Sequence, residues 1–403
     1  MALAFSCVLL WCAILILQRQ MPERFSVVEG TSLSLDGAMA VSGHGTADQS
    51  DREVSAMEAG SSYTASLKLL GVFPVKEVTV SVVEPIEVIP CGTPFGIKMF
   101  TDGVLVVGMS DVDTATGAYN PAKAAGMKPG DVIVTIDGEA VNSTEMVAQL
   151  VEESQGKTLT FHIRRDNISF DVKFTPAKSV NENRWKAGMW VRDSSAGIGT
   201  LTFYDPDSGV FGGLGHAVCD VDTGEVLPLS AGQIVPARIY SVVKGLSGDP
   251  GELRGGFESG ELGNLTVNGE TGIYGSLEDT PASICGSMPV AMKQQVKTGK
   301  AQILTTLDGV EPQYYDIEIK QVRYNDSSPT RNMVIQVTDE RLLSEAGGIV
   351  QGMSGSPILQ DGKLVGAVTH VFVNDPTQGF AIFAENMLKT ANSVADNQQK
   401  PAA

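Results

Sequence analysis

Two serines stand two positions apart in Gly352-Met353-Ser354-Gly355-Ser356-Pro357, a glycine-rich turn that leads into an apolar strand. A serine hydroxyl is a weak nucleophile until a base takes its proton, so such a turn does chemistry only where an imidazole reaches it. The chain has 4 histidines. His44 sits in a polar, small-residue stretch and reads as solvated. His162 lies in a hairpin-like run and reads as structural. His216 and His370 remain. His216 closes Phe211-Gly212-Gly213-Leu214-Gly215-His216, where a tight turn presents one imidazole after a strand. His370 lies mid-strand, where it would line a cleft or face away from it. The glycines around the serines suit acyl transfer, because an oxyanion hole needs backbone N–H groups converging on one point. The plain alternative is a glycine turn whose serines are incidental.

These six residues resemble the nucleophile loop of chymotrypsin-like serine proteases, glycine-x-serine-glycine-small-proline. The resemblance makes Ser354 the nucleophile and Ser356 a small packing residue one step into the strand. It also implies an oxyanion hole built from the N–H groups of Gly352 and Ser354. His216 precedes the serine, the order found in that class, and is taken as the general base. The orienting carboxylate stays open. Asp220 and Asp222 are too close to His216 in sequence to assume the right approach. Asp339, just after the apolar run 333–337, is a possible presenter among several aspartates between base and nucleophile.

The elements that must position these groups are mainly β. Residues 185–395 break into many short apolar runs separated by Gly, Pro, Asp and Asn, with helical periodicity only at 381–395, as in a sandwich or barrel. Residues 92–176 form an earlier module. Its run Asn120-Pro121-Ala122-Lys123-Ala124-Ala125-Gly126-Met127-Lys128-Pro129-Gly130-Asp131-Val132-Ile133, then Ile136-Asp137-Gly138, resembles a PDZ domain of the bacterial protease-associated type. That resemblance implies that Phe95-Gly96-Ile97 receives a peptide's terminal carboxylate. Met146 and Leu150, on one helix face, would wall the groove. Residues 25–91 read as a spacer with a short β segment, flexible over 41–63.

Residues 2–17 are almost wholly apolar, near the lower limit for a span, and no small-x-small cleavage site follows. A membrane anchor over residues 1–24 is expected, with a signal peptide as second choice. Arg19 and Arg24 follow this run, so the positive-inside rule weakly favours a cytoplasmic remainder. A net charge of −18 argues against nucleic-acid binding. The 5 cysteines contain no CxxC pair, and HExxH is absent, so neither a metal site nor a cofactor is expected.

Taken together, AGIGTLTFYDP, GLGHAVCDVDTGE and QGMSGSPILQDGKLVGAVTHVFVNDPTQGFAIFAENML make the chain similar to the SpoIVB (stage IV sporulation protein B) peptidases, across nearly its whole length. The resemblance places catalytic roles on His216, Asp339 and Ser354. It implies an extracytoplasmic serine endopeptidase of sporulation, acting in the space between forespore and mother-cell membranes. Such an enzyme cleaves itself and a membrane-bound regulatory subunit of an intramembrane metalloprotease complex, which triggers pro-sigma-K processing. Its PDZ domain would restrain the enzyme and bind peptide C-termini. The alternative is a non-catalytic PDZ adaptor at the membrane, which would have no use for an intact His216/Ser354 pair.

Overall fold

The computed structural model describes residues 2–35, 37–44, 57–166, 168–325 and 327–399. The apolar start forms the helix Ala2–Gln20. The expected anchor is not supported. Among the described residues no helix is long and apolar enough to cross a membrane. At about 1.5 Å per residue the apolar run reaches roughly 24 Å, against a hydrocarbon core of about 30 Å. The helix's C-terminal end is tied down, with Gln18 Nε2 donating to the Val75 carbonyl at 2.7 Å.

Residues expected to be spacer instead build a small sheet, Arg24–Val28, Phe73–Val83, Ser62–Leu69 and Met39–His44, in that spatial order. Alternating Val78, Val80 and Val82 meet Phe25, Val27 and Leu67 in a core of their own. The flexible segment read over 41–63 is thus strand at both ends, and its middle, 45–56, lies outside the described residues. The hairpin Ser62–Leu69 with Phe73–Val83 is the short β segment read from the sequence, whereas Arg24–Val28 pairs in parallel with a strand far along the chain and leaves no hairpin signal.

The strand Pro94–Met109 decides the architecture. Its first half pairs on one side with Met189–Tyr204, setting Ile97 opposite Gly197. On the other side it pairs with Leu229–Val243, setting Ile97 opposite Ile234. From there the pairing runs through Gly263–Gly269, Gly272–Leu277 and Val210–Gly213 back to Met189–Tyr204, closing a six-stranded ring. Phe95, Leu201, Phe211, Ile234 and Ile273 fill it. The second half of the same strand leaves the ring and pairs with Val132–Ile136, which continues into Leu159–Arg165 and Ile168–Phe174. That second sheet, with the helix Thr144–Glu153, is the PDZ-type module, packed on Ile133, Val147, Val151 and Phe161. The module is therefore inserted into the first barrel, and the strands Pro94–Met109 and Met189–Tyr204 are common to both.

A second closed barrel is made of Gly299–Thr305, Gln313–Val322, Met333–Val337, Asp375–Phe383, Lys363–Phe372 and Pro357–Gln360. Ile303, Ile317, Ile335, Val365 and Phe383 pack inside it. The terminal helix Ala384–Gln399 lays Met387, Leu388, Ala391 and Val394 across a core that also holds Phe203 and Tyr274 of the first barrel.

Candidate active site

The two barrels meet around a cleft of about 960 Å³, and both His216 and Ser354 line it. His216 follows the strand Val210–Gly213 of the first barrel, at a kink where Leu214 and Gly215 have positive φ. Ser354 belongs to the turn entering Pro357–Gln360 of the second barrel. The first barrel grips that turn. Thr200 N–H donates to the Ser354 carbonyl at 3.1 Å, and the hydroxyls of Thr200 and Thr202 donate to the Gly352 and Gly355 carbonyls at 2.9 and 2.7 Å. The contact is so close that a Cβ at position 355 would lie 2.1 Å from the Thr200 carbonyl oxygen.

Within the turn, the N–H groups of Met353, Gly355 and Ser356 are all engaged by backbone carbonyls. Those of Gly352 and Ser354 donate to nothing among the described residues, leaving two donors free beside the hydroxyl. Gly352 reaches this conformation at φ +95°, which a side chain would strain. Ser356 is fully buried, and its hydroxyl pairs with Thr305 Oγ1 at 2.9 Å, the packing position read from the motif.

Ser354 Oγ donates to the Thr369 carbonyl at 2.8 Å. His216 Nδ1 lies 2.8 Å from the carbonyl of Ala217. A carbonyl only accepts, so Nδ1 carries the proton and Nε2 keeps the lone pair that a general base needs. Burial holds the His216 imidazole below its usual pKa, although the Ala217 hydrogen bond works the other way. It is uncharged at neutral pH.

Asp339 is not brought to this pair. It does not line the cleft. Its carboxylate caps the helix Glu340–Glu345 through the N–H groups of Arg341 and Leu342, and it pairs with the Arg341 guanidinium at 2.9 Å. The Arg341 hydrogen bond draws its pKa down to about 2, overcoming the opposing effect of burial. A side chain committed to a helix start and an arginine is a structural anion.

Beside His216 stands His370, whose facing direction the sequence left open. Its ring centroid lies 5.1 Å from that of His216, at an interplanar angle of 38°. Burial, then the charges of His216 and Arg331, lower its pKa to about 4, so it too is neutral. Its Nδ1 is buried with no hydrogen-bond partner among the described residues. His162, by contrast, pairs with Asp171 at 2.8 Å on the PDZ-type hairpin and takes no part.

The expected peptide loop is corrected as well. Phe95 and Ile97 are 1 % and 4 % exposed, inside the first barrel. A Cβ at Gly96 would lie 2.6 Å from the Val235 side chain. With both edges of this strand paired, no N–H group there is left for a carboxylate. Met146 and Leu150 are half-buried against the module's own core. The helix instead turns Val147, Ala148 and Val151 to a cavity of about 300 Å³ whose other wall includes Trp185 and Met189 of the same chain. Trp185 N–H donates to Glu152 at 2.7 Å, and Thr144 N–H to Asp193 at 2.8 Å, so the chain covers its own helix.

Two barrels with a serine–histidine cleft between them, and an inserted PDZ sheet, define a serine peptidase carrying a PDZ module. The family model SpoIVB peptidase S55 matches residues 183–388 and a PDZ model matches 96–174. The chain belongs to the SpoIVB peptidase S55 family. Among curated proteins it is 35% identical over 71 residues to "Serine protease HTRA1" of Xenopus tropicalis, covering 16% of this chain and 15% of that one. It is 41% identical over 59 residues to "Putative zinc metalloprotease mll0638" of Mesorhizobium japonicum, covering 15% and 16%. The matches thus span about a sixth of those relatives. Among solved structures, the PDZ domain of an SdrC-like protein from Listeria monocytogenes aligns at 19% identity and TM-score 0.19, covering 22% of this chain and 87% of that one. The Rv3671c protease of M. tuberculosis, in an inactive form, aligns at 14% identity and TM-score 0.28, covering 49% and 84%.

Proposed function

We propose that this chain is a serine endopeptidase in which Ser354 attacks, His216 moves the proton and His370 braces His216. The observation that carries the reading is the nucleophile turn clasped between two barrels, with its two free N–H groups beside Ser354 and an unprotonated imidazole nitrogen in the same cleft. Ser354 Oγ gives up its hydrogen bond to Thr369 and passes its proton to His216 Nε2 as the bond to the substrate carbonyl carbon forms. The developing oxyanion meets the Gly352 and Ser354 N–H groups. His216 then hands the proton to the leaving amine as the C–N bond breaks, and water repeats the sequence to release the acyl group. While His216 is cationic, the Ala217 carbonyl accepts from its Nδ1–H, the place a carboxylate holds in other triads, and the neutral His370 packs against the ring.

Family membership supports a wider role: an enzyme of sporulation, located outside the cytoplasm, that cleaves itself and a membrane-bound regulator of an intramembrane metalloprotease. Exposed Phe5, Val8, Trp11 and Ile16 leave the first helix with apolar surface that is uncovered among the described residues. An adaptor that captures peptide C-termini through Phe95-Gly96-Ile97 is disfavoured by the burial of that strand in the barrel. A serine-directed fluorophosphonate tests the enzyme. It should label the full chain on Ser354 and leave Ser354→Ala unlabelled. Equal labelling of both would sink the assignment.

A further inference from the structure

The cleft carries a charge that the proposed mechanism does not use. Among the described residues lining it there is no lysine or arginine, and its carboxylates are Asp220 and Glu270. Asp220 is already spent. Its side chain is fully buried, ion-paired with Arg192, and accepts hydrogen bonds from Asp222, Thr223 and the Thr223 hydroxyl. Glu270 is exposed and makes no ion pair among the described residues.

The fold nevertheless fixes where Glu270 stands. The strand Gly272–Leu277 runs antiparallel to Val210–Gly213 with Ile273 opposite Gly213. Glu270 stands in the two-residue turn that joins Gly263–Gly269 to Gly272–Leu277, and it lines the same cleft as His216. The turn is pinned on both sides of that point. Asn268 Oδ1 accepts from Val218 N–H at 2.8 Å, and its Nδ2 donates to the Val218 and Leu227 carbonyls, each at 2.9 Å. On the other side Gly272 packs against the Gly213 carbonyl and the Gly215 N–H, with no room for a side chain between. A solvent-facing carboxylate is thereby held in the cleft that contains the base. The second-barrel wall next to the nucleophile turn is apolar, made by Ile349, Val350 and Val371.

We propose that Glu270 determines specificity: the substrates are peptides with an apolar residue at the scissile bond and a lysine or arginine at the position that reaches Glu270 along the cleft. The apolar side chain lies against Ile349 and Val350, and the cation meets Glu270. A chain of net charge −18 draws such cationic segments toward the cleft from a distance. This inference rests on the peptidase reading above and names its substrate class.

The test is cleavage-site profiling with a proteome-derived peptide library. The full chain is compared with Ser354→Ala, Glu270→Gln and Glu270→Lys, and each glutamate variant is first shown to take the fluorophosphonate. Wild-type sites should favour Lys or Arg over Asp or Glu by about tenfold at one fixed position beside an apolar residue. Glu270→Gln should flatten that preference and Glu270→Lys should invert it. Wild-type cleavage without a basic preference, or a preference that survives Glu270→Lys, overturns the inference and leaves the peptidase reading standing. Loss of fluorophosphonate labelling in Glu270→Gln, with its thermal midpoint unchanged, overturns it by making Glu270 the carboxylate behind His216. A wild type that neither cleaves nor labels defeats both readings.

Discussion

Replacing Asp339 by asparagine removes one charge from a well-defined setting. Its carboxylate accepts from Arg341 N–H at 2.9 Å, Leu342 N–H at 3.4 Å and Asp316 N–H at 3.3 Å, and pairs with the Arg341 guanidinium. These contacts, led by the Arg341 hydrogen bond, hold its pKa at about 2, against 3.8 for an ordinary aspartate. A difference of that size corresponds to about 2 kcal/mol of stability at neutral pH. Asp339 itself is 9 % exposed but its partner Arg341 is 61 % exposed, so solvent screening lowers that figure. Because the folded value is depressed, the contribution is complete above about pH 4 and is lost as pH falls through about 2. Urea unfolding at pH 7 should therefore show Asp339→Asn destabilised by about 1–2 kcal/mol, with the difference closing near pH 2. A deficit of the same size at both pH values would refute the linkage argument. The same variant separates structure from catalysis. Per folded molecule, Ser354 should take the fluorophosphonate within about threefold of the wild-type rate. A loss near ~10⁴-fold would put this carboxylate behind the imidazole and refute the reading of the cleft.

His370→Gln should slow labelling of Ser354 by ~10²-fold while leaving the thermal midpoint within a few degrees; an unchanged rate would remove His370 from the centre. Gly355→Ala drives a Cβ to 2.1 Å from the Thr200 carbonyl, so it should abolish labelling by unseating the turn; a labelled, fully stable variant would contradict the clasp. Ser356→Ala strips a buried hydroxyl from Thr305 and should cost about 1–2 kcal/mol in urea unfolding while Ser354 still labels. Since burial holds the His216 pKa below 6.5 and the base must be neutral, the acid limb of the labelling rate should have its midpoint below pH 6.5; a midpoint above it would contradict a buried base.

What could be read along the chain was what is encoded locally. Gly352 to Pro357 and Gly212 to His216 are short turns with glycines at positive φ, so the sequence alone singles out Ser354 and His216, which line one cleft, and sets Ser356 apart as a packing residue. The run from Asn120 to Ile133 likewise marked the PDZ sheet. One error comes from pairing across sequence distance and the others from which way a side chain faces. Nothing near Phe95-Gly96-Ile97 tells that partners from both Gly197 and Ile234 will close over it. His370 was undecidable because its strand is buried along most of its length, so alternation gives no facing direction. Met146 and Leu150 satisfied helical periodicity, yet Val147 and Val151 lie one step round the same helix and take the buried face. Asp339 came from resemblance, and its local role as a helix cap was not weighed.

The strand Pro94–Met109 and its partner Met189–Tyr204 act as a single stave bridging two compartments. A stave cannot be pulled from a cask without spilling it. Severing the chain between residues 92 and 185 would leave the first barrel open and the inserted sheet missing an edge, so neither piece should fold by itself. The strand that begins at Met189 beside the inserted module thus reaches, on the barrel side, Thr200, whose N–H and hydroxyl hold the nucleophile turn.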